Sequence, residues 1–351
     1  MPNMKQIAAK AGVSLGTVSH VLNGTANVRE PLRKRVLDAV VSIGYQPSQL
    51  ARGLRRVKTN MIGMIIPDVT NPFFPAVVRG AEDVAFANGY RLVLCNTDND
   101  HFKELAHLRE LKTYLPAGLI VIPSNFSDLS THVESYQKAG TAVVCVDRLP
   151  RDWEGDTVTV ANEEGAHIAT RYLIQLGHRR LAAITGPLHL TNSGQRLAGF
   201  KAALKKARIH VAPEYFQEAS FDKPGGYAKA KVLLNMVPRP TAIFAGNDMI
   251  ALGVLAAIQE AGLRCPEDIS VIGFDNQDVT EITNPPLASV HQPGYQMGAT
   301  AARLLLDRVS GKSSAVKHVV LQTELKVRGS VAPPPADSAA VSRPDLKRAR
   351  G

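Results

Sequence analysis

The chain has 351 residues, 45% of them hydrophobic and 5% aromatic, with 3 cysteines and a formal net charge of +10. At roughly 100–200 residues per domain this length suits two or three domains with enough chain to bury a core, and the composition excludes wholesale disorder and collagen-like repeats. No apolar run reaches the ~18–20 residues of a membrane helix; the longest, from Met249 to Ile258, contains Gly253 and is bounded by Asp248 and Gln259.

The first sixty residues hold ten Lys and Arg against two acids, Glu30 and Asp38, whereas residues 61–330 hold 27 of each sign. A basic head on an electrically neutral body is the footprint of a polyanion partner, although charge alone leaves a solvated basic face equally open. Lys5 and Lys10 interrupt any apolar leader, so a cytoplasmic location is expected. Asn3 can cap a helix from Met4 to Ala11 that turns Ile7, Ala8 and Ala11 inward. Gly12 supplies a turn, Val13 plugs the corner, and Ser14 can cap a second helix through Asn23 with Val18, Val21 and Leu22 inward. A third helix is expected from Pro31 to Ile43, burying Leu32, Val36, Leu37 and Val40. Helix, glycine turn and helix at this spacing is the helix-turn-helix plan. Its second helix then presents Leu15, Gly16, Thr17, Ser19 and His20 outward, small or hydrogen-bonding groups suited to base edges in a major groove. A three-helix protein-interaction module is the alternative, and the charge of the head favours DNA.

The string Met4-Lys5-Gln6-Ile7-Ala8, followed by Ala11-Gly12-Val13-Ser14-Leu15-Gly16-Thr17-Val18-Ser19-His20-Val21-Leu22-Asn23-Gly24, closely resembles the head of lactose-repressor-family transcription factors. That resemblance implies base reading by Leu15, Gly16 and His20, with Thr17, Ser19 and Asn23 on the same DNA-facing surface. His20 stands where the family commonly has Arg, so the usual bidentate guanine contact is not carried over. Arg29 stands where a capping Ser or Thr is common, so a weaker start to the third helix is expected. Residues 1–46 form the expected DNA-binding domain and 47–60 a linker. Its segment from Ser48 to Arg56 is too short to be a stable helix alone, and Gly53 weakens it by up to about 1 kcal/mol relative to Ala. The resemblance implies that it is a hinge helix that folds on DNA, with Leu54 wedged between base pairs in the minor groove and Ala51 and Arg52 beside it.

From Met61 the pattern changes to apolar runs alternating with amphipathic stretches, which predicts strands interleaved with helices and hence parallel sheets in two flavodoxin-like halves. Helices are expected, among others, over 71–88, 195–207 and 248–261. Such sheets bind ligands at the carboxyl ends of their strands. Those ends carry carboxylates, amides and Arg beside aromatics, a mixture that suits a polyhydroxylated molecule. Residues 61–330 resemble the effector domain of the same family, itself similar to periplasmic sugar-binding proteins. The resemblance to ribose-binding members implies ligand contacts at Asn71, Phe73, Phe74, Asp147, Arg148, Arg196, Phe221, Asn247, Asp275 and Gln292. A ribose-like pentose is the leading expectation and a purine the main alternative; a phosphorylated sugar would want more cations than Arg148 and Arg196.

Residues 331–351, with Pro333-Pro334-Pro335 and many Ala and Ser, read as a disordered tail without a leucine heptad, so a homodimer rather than a tetramer is expected. Cys95, Cys145 and Cys265 suit a reducing compartment and match no zinc or disulfide pattern. No phosphate-binding loop, Gly-x-Gly-x-x-Gly opening or His-Glu-x-x-His pair is present, so neither catalysis, a metal nor a cofactor is expected. A sugar-binding transport protein would share the body but should carry a signal peptide and no basic head. The expected fold is therefore an α-helical helix-turn-helix head on a two-lobed, periplasmic-binding-protein-like α/β body. The expected function is a DNA-binding repressor whose operator affinity a small molecule controls, with no membrane partner.

Overall fold

In the head, helices begin and end where side chains or backbone geometry can satisfy free peptide groups. The computed structural model describes residues 3–23, 26–44, 59–124, 129–150 and 152–336, and the chain divides into two compact units, Met1–Thr59 and Asn60–Gly351. Helix α1 (Met4–Ala11) starts in a capping box: the Gln6 N–H donates to Asn3 Oδ1, and the Asn3 N–H donates to Gln6 Oε1, both at 3.0 Å. Gly12 closes it in the left-handed region at φ +61°. Before α2 (Leu15–Asn23), Ser14 Oγ accepts the Thr17 N–H at 3.1 Å. Helix α3 (Glu30–Ile43) starts at Arg29 with no side-chain cap and relies on Pro31 in its first turn. Ile7, Ala8, Ala11, Val18, Val36 and Ala39 form the core of the head, with Val13, Val21, Leu22 and Val40 packed at its edge. Leu37 corrects the expected pattern, for it is 43% exposed. The inward stripe of α3 runs through Val36, Ala39, Val40 and Ile43, and one residue is about 100° of helix, enough to carry Leu37 off it.

The body is built of two six-stranded sheets. The first contains β1 (Met61–Ile66), β2 (Arg91–Asn96), β3 (Gly118–Val121), β4 (Ala142–Val146), β5 (Asp156–Val160) and β11 (His318–Leu321). Its order is β11-β5-β4-β3-β1-β2, all parallel, with Met61 opposite Arg91 and Ile62 opposite Gly118. The second contains β6 (Leu181–Thr185), β7 (Phe216–Glu218), β8 (Ala242–Ala245), β9 (Ser270–Asp275), β10 (Ala288–His291) and β12 (Glu324–Lys326). Its order is β12-β10-β9-β8-β6-β7, and only β12 runs antiparallel.

The helices of lobe one are α4 (Phe73–Ala87), α5 (His101–Thr113), α6 (Leu129–Lys138) and α12 (Gly294–Val309); lobe two has α7 (Asn162–Gln175), α8 (Thr191–Lys206), α9 (Lys223–Leu234), α10 (Asp248–Glu260) and the short α11 (Val279–Ile282). Strands buried on both faces read as continuous apolar runs, which is why Met61–Ile66 and Ala142–Val146 are visible in sequence. On one face of sheet one, Ile62, Met64, Ile120 and Val144 pack on Val77 and Ala81 of α4 and on Met297, Ala301 and Leu305 of α12. Each large side chain buried there contributes about 1.5–3 kcal/mol. Helices α4 and α12 touch through glycines: a Cβ on Gly80 would lie 2.0 Å from the Tyr295 carbonyl oxygen, and one on Gly298 would lie 1.8 Å from that of Val77. In lobe two, Phe200, Phe244 and Phe274 fill one side of the sheet under α7 and α8, and Ile243, Val271 and Val254 fill the other under α9 and α10.

The chain passes between lobes three times: at Ala161 after β5, at Gln292–Pro293 after β10, and at Gln322–Thr323 after β11. The Ala161 N–H donates to the Leu321 carbonyl at 2.9 Å and Thr323 Oγ1 to that of Ala161 at 3.4 Å, so two crossings lie side by side. Packing also continues past residue 330, the expected start of the tail. The Ala332 N–H donates to Ser270 Oγ at 3.0 Å, and its carbonyl lies 2.8 Å from Nε2 of the buried His178. Among the described residues, no helix is long and apolar enough to cross a membrane, and no cluster of His, Cys, Asp and Glu could hold a metal ion.

Candidate functional site: an exposed helix of the head and an interlobe cleft

On the head, α2 leaves Leu15 44% exposed with Gly16 and His20 exposed beside it, while Thr17 and Ser19 are half-buried. The Thr17 hydroxyl shares a 2.9 Å hydrogen bond with that of Ser14, so part of its bonding capacity goes to the helix start. Asn23 is the last residue of α2. Lys5, Lys10, Arg29, Arg33 and Lys34 are exposed and make the unit's surface cationic. Ala51, Arg52 and Leu54 lie outside the described residues.

In the body, the carboxyl ends of both sheets converge on a cleft of about 210 Å³. Its walls hold Asn71, Phe73, Phe74, Asp147, Arg148, Arg196, Phe221, Asn247, Asp275 and Gln292, every residue expected there, together with Asn192. Asp147, just past β4, holds φ +63°, and Asp275, the last residue of β9, holds φ +111°, conformations that non-glycine residues seldom hold and that turn the chain sharply at the strand end.

Arg196, only 2% exposed, organises the lobe-two wall. Its Nε donates to Asn162 Oδ1 at 2.8 Å, Nη1 to the Gly246 carbonyl at 2.7 Å and Nη2 to Gln292 Oε1 at 3.0 Å. Asp275 Oδ1 lies 3.6 Å from Arg196 Nη1 and accepts Gln292 Nε2–H at 3.2 Å, and the guanidinium sits 3.8 Å from the centre of the Phe274 ring. On lobe one, Arg148, also 2% exposed, lies 5.6 Å from the ring centres of both Phe74 and Phe221. Its Nη1 donates to Asn99 Oδ1 at 3.1 Å, and its Nε is 3.7 Å from Asp147 Oδ2. Asn71 and Asn247 serve locally: Asn71 Oδ1 accepts the Phe73 N–H at 3.1 Å, and Asn247 Oδ1 caps α10 at the Ile250 N–H, 2.8 Å away.

The two lobes meet through Asn192, whose Nδ2 donates to Asp147 Oδ2 at 3.0 Å, and through the Leu149 N–H, which donates to Thr191 Oγ1 at 3.1 Å. Asn192 was not foreseen, because Thr191-Asn192-Ser193-Gly194 has the composition of a loop and the expected helix began at Gln195. Helix α8 starts at Thr191 and thereby delivers Asn192 to the cleft from its first turn, with buried Ser193 next to it.

Two carboxyls and two guanidiniums balance in this small space. Burial pushes Asp147 and Asp275 above the ordinary carboxylate range and holds Arg148 and Arg196 below the ordinary guanidinium range, and the opposite charges resist both shifts. Beside Asn247, burial raises the Asp248 carboxyl to about 7, against the Ser289 hydroxyl and Gln277 N–H that donate to it. In and beside the cleft walls, three buried atoms have no hydrogen-bond partner among the described residues: Asp147 Oδ1, Arg148 Nε and Ser193 Oγ. A buried polar atom left unpaired costs about 1–3 kcal/mol, so the three mark where a polar molecule would gain most by entering.

Residues 3–48 match the model of the lacI family of bacterial regulatory proteins, and residues 170–331 that of a periplasmic binding protein-like domain. The chain is 38% identical over 331 residues to the ribose operon repressor of Escherichia coli (strain K12), an alignment that covers 94% of this chain and 100% of that protein. The chain belongs to the lacI family. It is accordingly a DNA-binding regulator, with the family's helix-turn-helix head and two-lobed α/β body. Another lacI-family relative, the HTH-type transcriptional repressor PurR of Vibrio vulnificus (strain CMCP6), is 36% identical over 332 residues, covering 94% of this chain and 99% of that protein. Among solved structures, the lac repressor dimer bound to operator and the anti-inducer ONPF superposes with a TM-score of 0.83 at 25% identity, over 94% of this chain and 99% of that one. A LacI-family regulator from Enterococcus faecium with bound ribose superposes with a TM-score of 0.71 at 31% identity, over 78% of this chain and 99% of that one.

Proposed function

We propose that this lacI-family protein is a cytoplasmic, homodimeric repressor whose operator affinity is set by a small uncharged sugar, a ribose-like pentose first among them. The observation that carries the ligand class is the balanced quartet of Asp147, Arg148, Arg196 and Asp275, with unpaired polar atoms among aromatic faces. Ionised groups hold hydroxyls through charge-assisted hydrogen bonds, and Phe74 and Phe221 offer surfaces for C–H groups. A net charge of zero across the quartet gives a phosphate no surplus cation. The ribose operon repressor and the ribose-bound regulator among its relatives support the same class. A purine is the second reading, supported by the three phenylalanine faces and by the PurR relatives.

On DNA, two heads would each place α2 in a major groove of one half-site of a near-palindromic operator, with Leu15, Gly16 and His20 reading bases. Thr17, Ser19 and Asn23 would lie along that surface, with Leu54 as a minor-groove wedge flanked by Ala51 and Arg52. Phosphate contacts from the exposed lysines and arginines supply salt-sensitive affinity. Val69, Val93 and Leu94 lie exposed on and beside the edge strand β2, an apolar margin that a second copy would cover. Ligand drawn between the lobes shifts their closure about the three crossings, and this weakens the grip on operator by about 1–3 kcal/mol, or 5–150-fold. The test is a thermal-shift panel of ribose, other pentoses, hexoses and purines on the full chain and on Asp275→Ala. A pentose should raise the melting temperature of the wild type and leave the variant unmoved. A shift from purines alone would transfer the assignment to the second reading, and one retained in the variant would displace the site.

A further inference from the structure

The second lobe carries another concavity, far larger than the cleft. Where α8 ends and edge strand β7 begins lies an open groove of about 920 Å³. Lys201 and Lys205 stand one turn apart on its α8 side, and Arg208 and His210 follow on the segment leaving the helix. Its floor is apolar: Leu204 is 4% exposed, Ile209, Val211 and Phe216 are half-buried, and Lys201 Nζ sits 5.0 Å from the Phe216 ring centre. No carboxylate lies within ion-pair distance of Lys201, Lys205 or Arg208 among the described residues. Several other exposed cations of the body are paired, as in Arg79–Asp83 at 3.0 Å, Lys231–Glu260 at 2.9 Å and Arg264–Asp268 at 3.4 Å. Arg208 also holds φ +56°, at a helix-end position that glycine ordinarily takes. Of the eight described non-glycine residues with positive φ, six are Asp or Asn, types that tolerate this region, so an arginine here is not explained by backbone preference.

We propose that this groove docks an acidic, amphipathic segment of a partner protein. The cations are strung along the groove rather than converging on a point: Lys201 and Lys205 are separated by about 6 Å of helix rise. A single phosphate or carboxylate is therefore a poor fit, and an extended chain of acids a good one. Nucleic acid would use the cations but not the apolar floor, which instead suits leucine or phenylalanine side chains on one face of a helix. Such a partner would engage the regulator through lobe two, by a surface distinct from the DNA-reading helix and the interlobe cleft.

A fluorescein-labelled peptide of about 18 residues, five helical turns, with Leu and Phe at helical spacing and Glu elsewhere, should bind the full chain with salt-sensitive affinity. Lys205→Glu combined with Arg208→Glu should weaken that binding at least tenfold while leaving the melting temperature unchanged, since both side chains are exposed. A control peptide with Ser replacing every Leu and Phe should bind at least tenfold less well. The proposal is overturned if the wild type does not bind the peptide, or if the double variant binds it equally, which would place it on the basic head. Equal binding of the Ser control would reduce the groove to a generic anion surface. A random-sequence duplex whose affinity falls as far as the peptide's in the double variant would make it a nucleic-acid surface instead.

Discussion

The head and the cleft solve recognition in opposite ways. In the head, the residues offered for sequence reading are exposed: Leu15, Gly16 and His20 stand on a helix held by a core of only a few side chains. In the cleft, Arg148 and Arg196 are almost wholly enclosed, each already engaged by protein groups. A large partner such as a duplex comes to the surface, and its contacts form after the head has folded. A small ligand must be surrounded, so its contacts are part of the interior and their removal is felt by the fold itself. Changes in the head should therefore alter partner choice at little cost in stability, whereas changes in the cleft should alter both.

The largest effect is expected at Arg196. Arg196→Ala leaves Asp275 buried without its cation, together with the freed acceptors on Asn162, Gly246 and Gln292. Breaking a buried pair in this way costs about 3–5 kcal/mol, which urea denaturation of the full chain would register. Loss below 1 kcal/mol would mean the cleft is less closed than its geometry implies. Next comes Leu54→Ala, which would remove the proposed minor-groove wedge. Kinking DNA by an inserted side chain involves a few kcal/mol, so specific operator affinity should fall on the order of a hundredfold while weak, salt-dependent binding persists. Unchanged operator affinity in a gel-shift titration would remove the wedge from the mechanism. Gly298→Ala should destabilise the body by about 1–3 kcal/mol, because α4 and α12 cannot both keep their positions with a methyl group 1.8 Å from the Val77 carbonyl oxygen. The mildest change is His20→Arg: the melting temperature should stay put while a binding-site selection returns a different base preference. An identical selected motif would remove His20 from sequence reading.

The same contrast explains what could be foreseen from the sequence. The helices of the head are announced by their own caps and turns, Asn3, Gly12 and Ser14, and the central strands by uninterrupted apolar runs. Leu37 misled because it neighbours Val36 in sequence, while one residue along a helix faces another way. Short strands such as Phe216–Glu218 and Glu324–Lys326 carry too little pattern to be seen, being edges defined by the neighbour they pair with. Asp156–Val160 alternates polar with apolar residues, yet it is mostly buried, because the Asp156 carboxylate is held by Arg308 and the Lys317 N–H. Helix α12 had no local signal of where it belongs; its close backbone approach to α4 at Gly80 and Gly298 appears only in the structure, more than two hundred residues apart in sequence. Ten cleft residues were foreseen through family resemblance and strand-end position, and Asn192 escaped because a polar first turn looks like a loop.

The three passages between lobes carry a consequence for biosynthesis. Lobe one begins with Met61 but draws α12 and β11 from residues 294–321, after most of lobe two has been made. During translation, the lobe synthesised first must therefore wait, its sheet lacking an edge and one apolar face of Ile62, Met64 and Val144 missing its α12 cover, until the last stretch leaves the ribosome. Once residue 291 has left the ribosome, the second lobe lacks only β12 and the segment that follows it, whereas the first still lacks both α12 and β11.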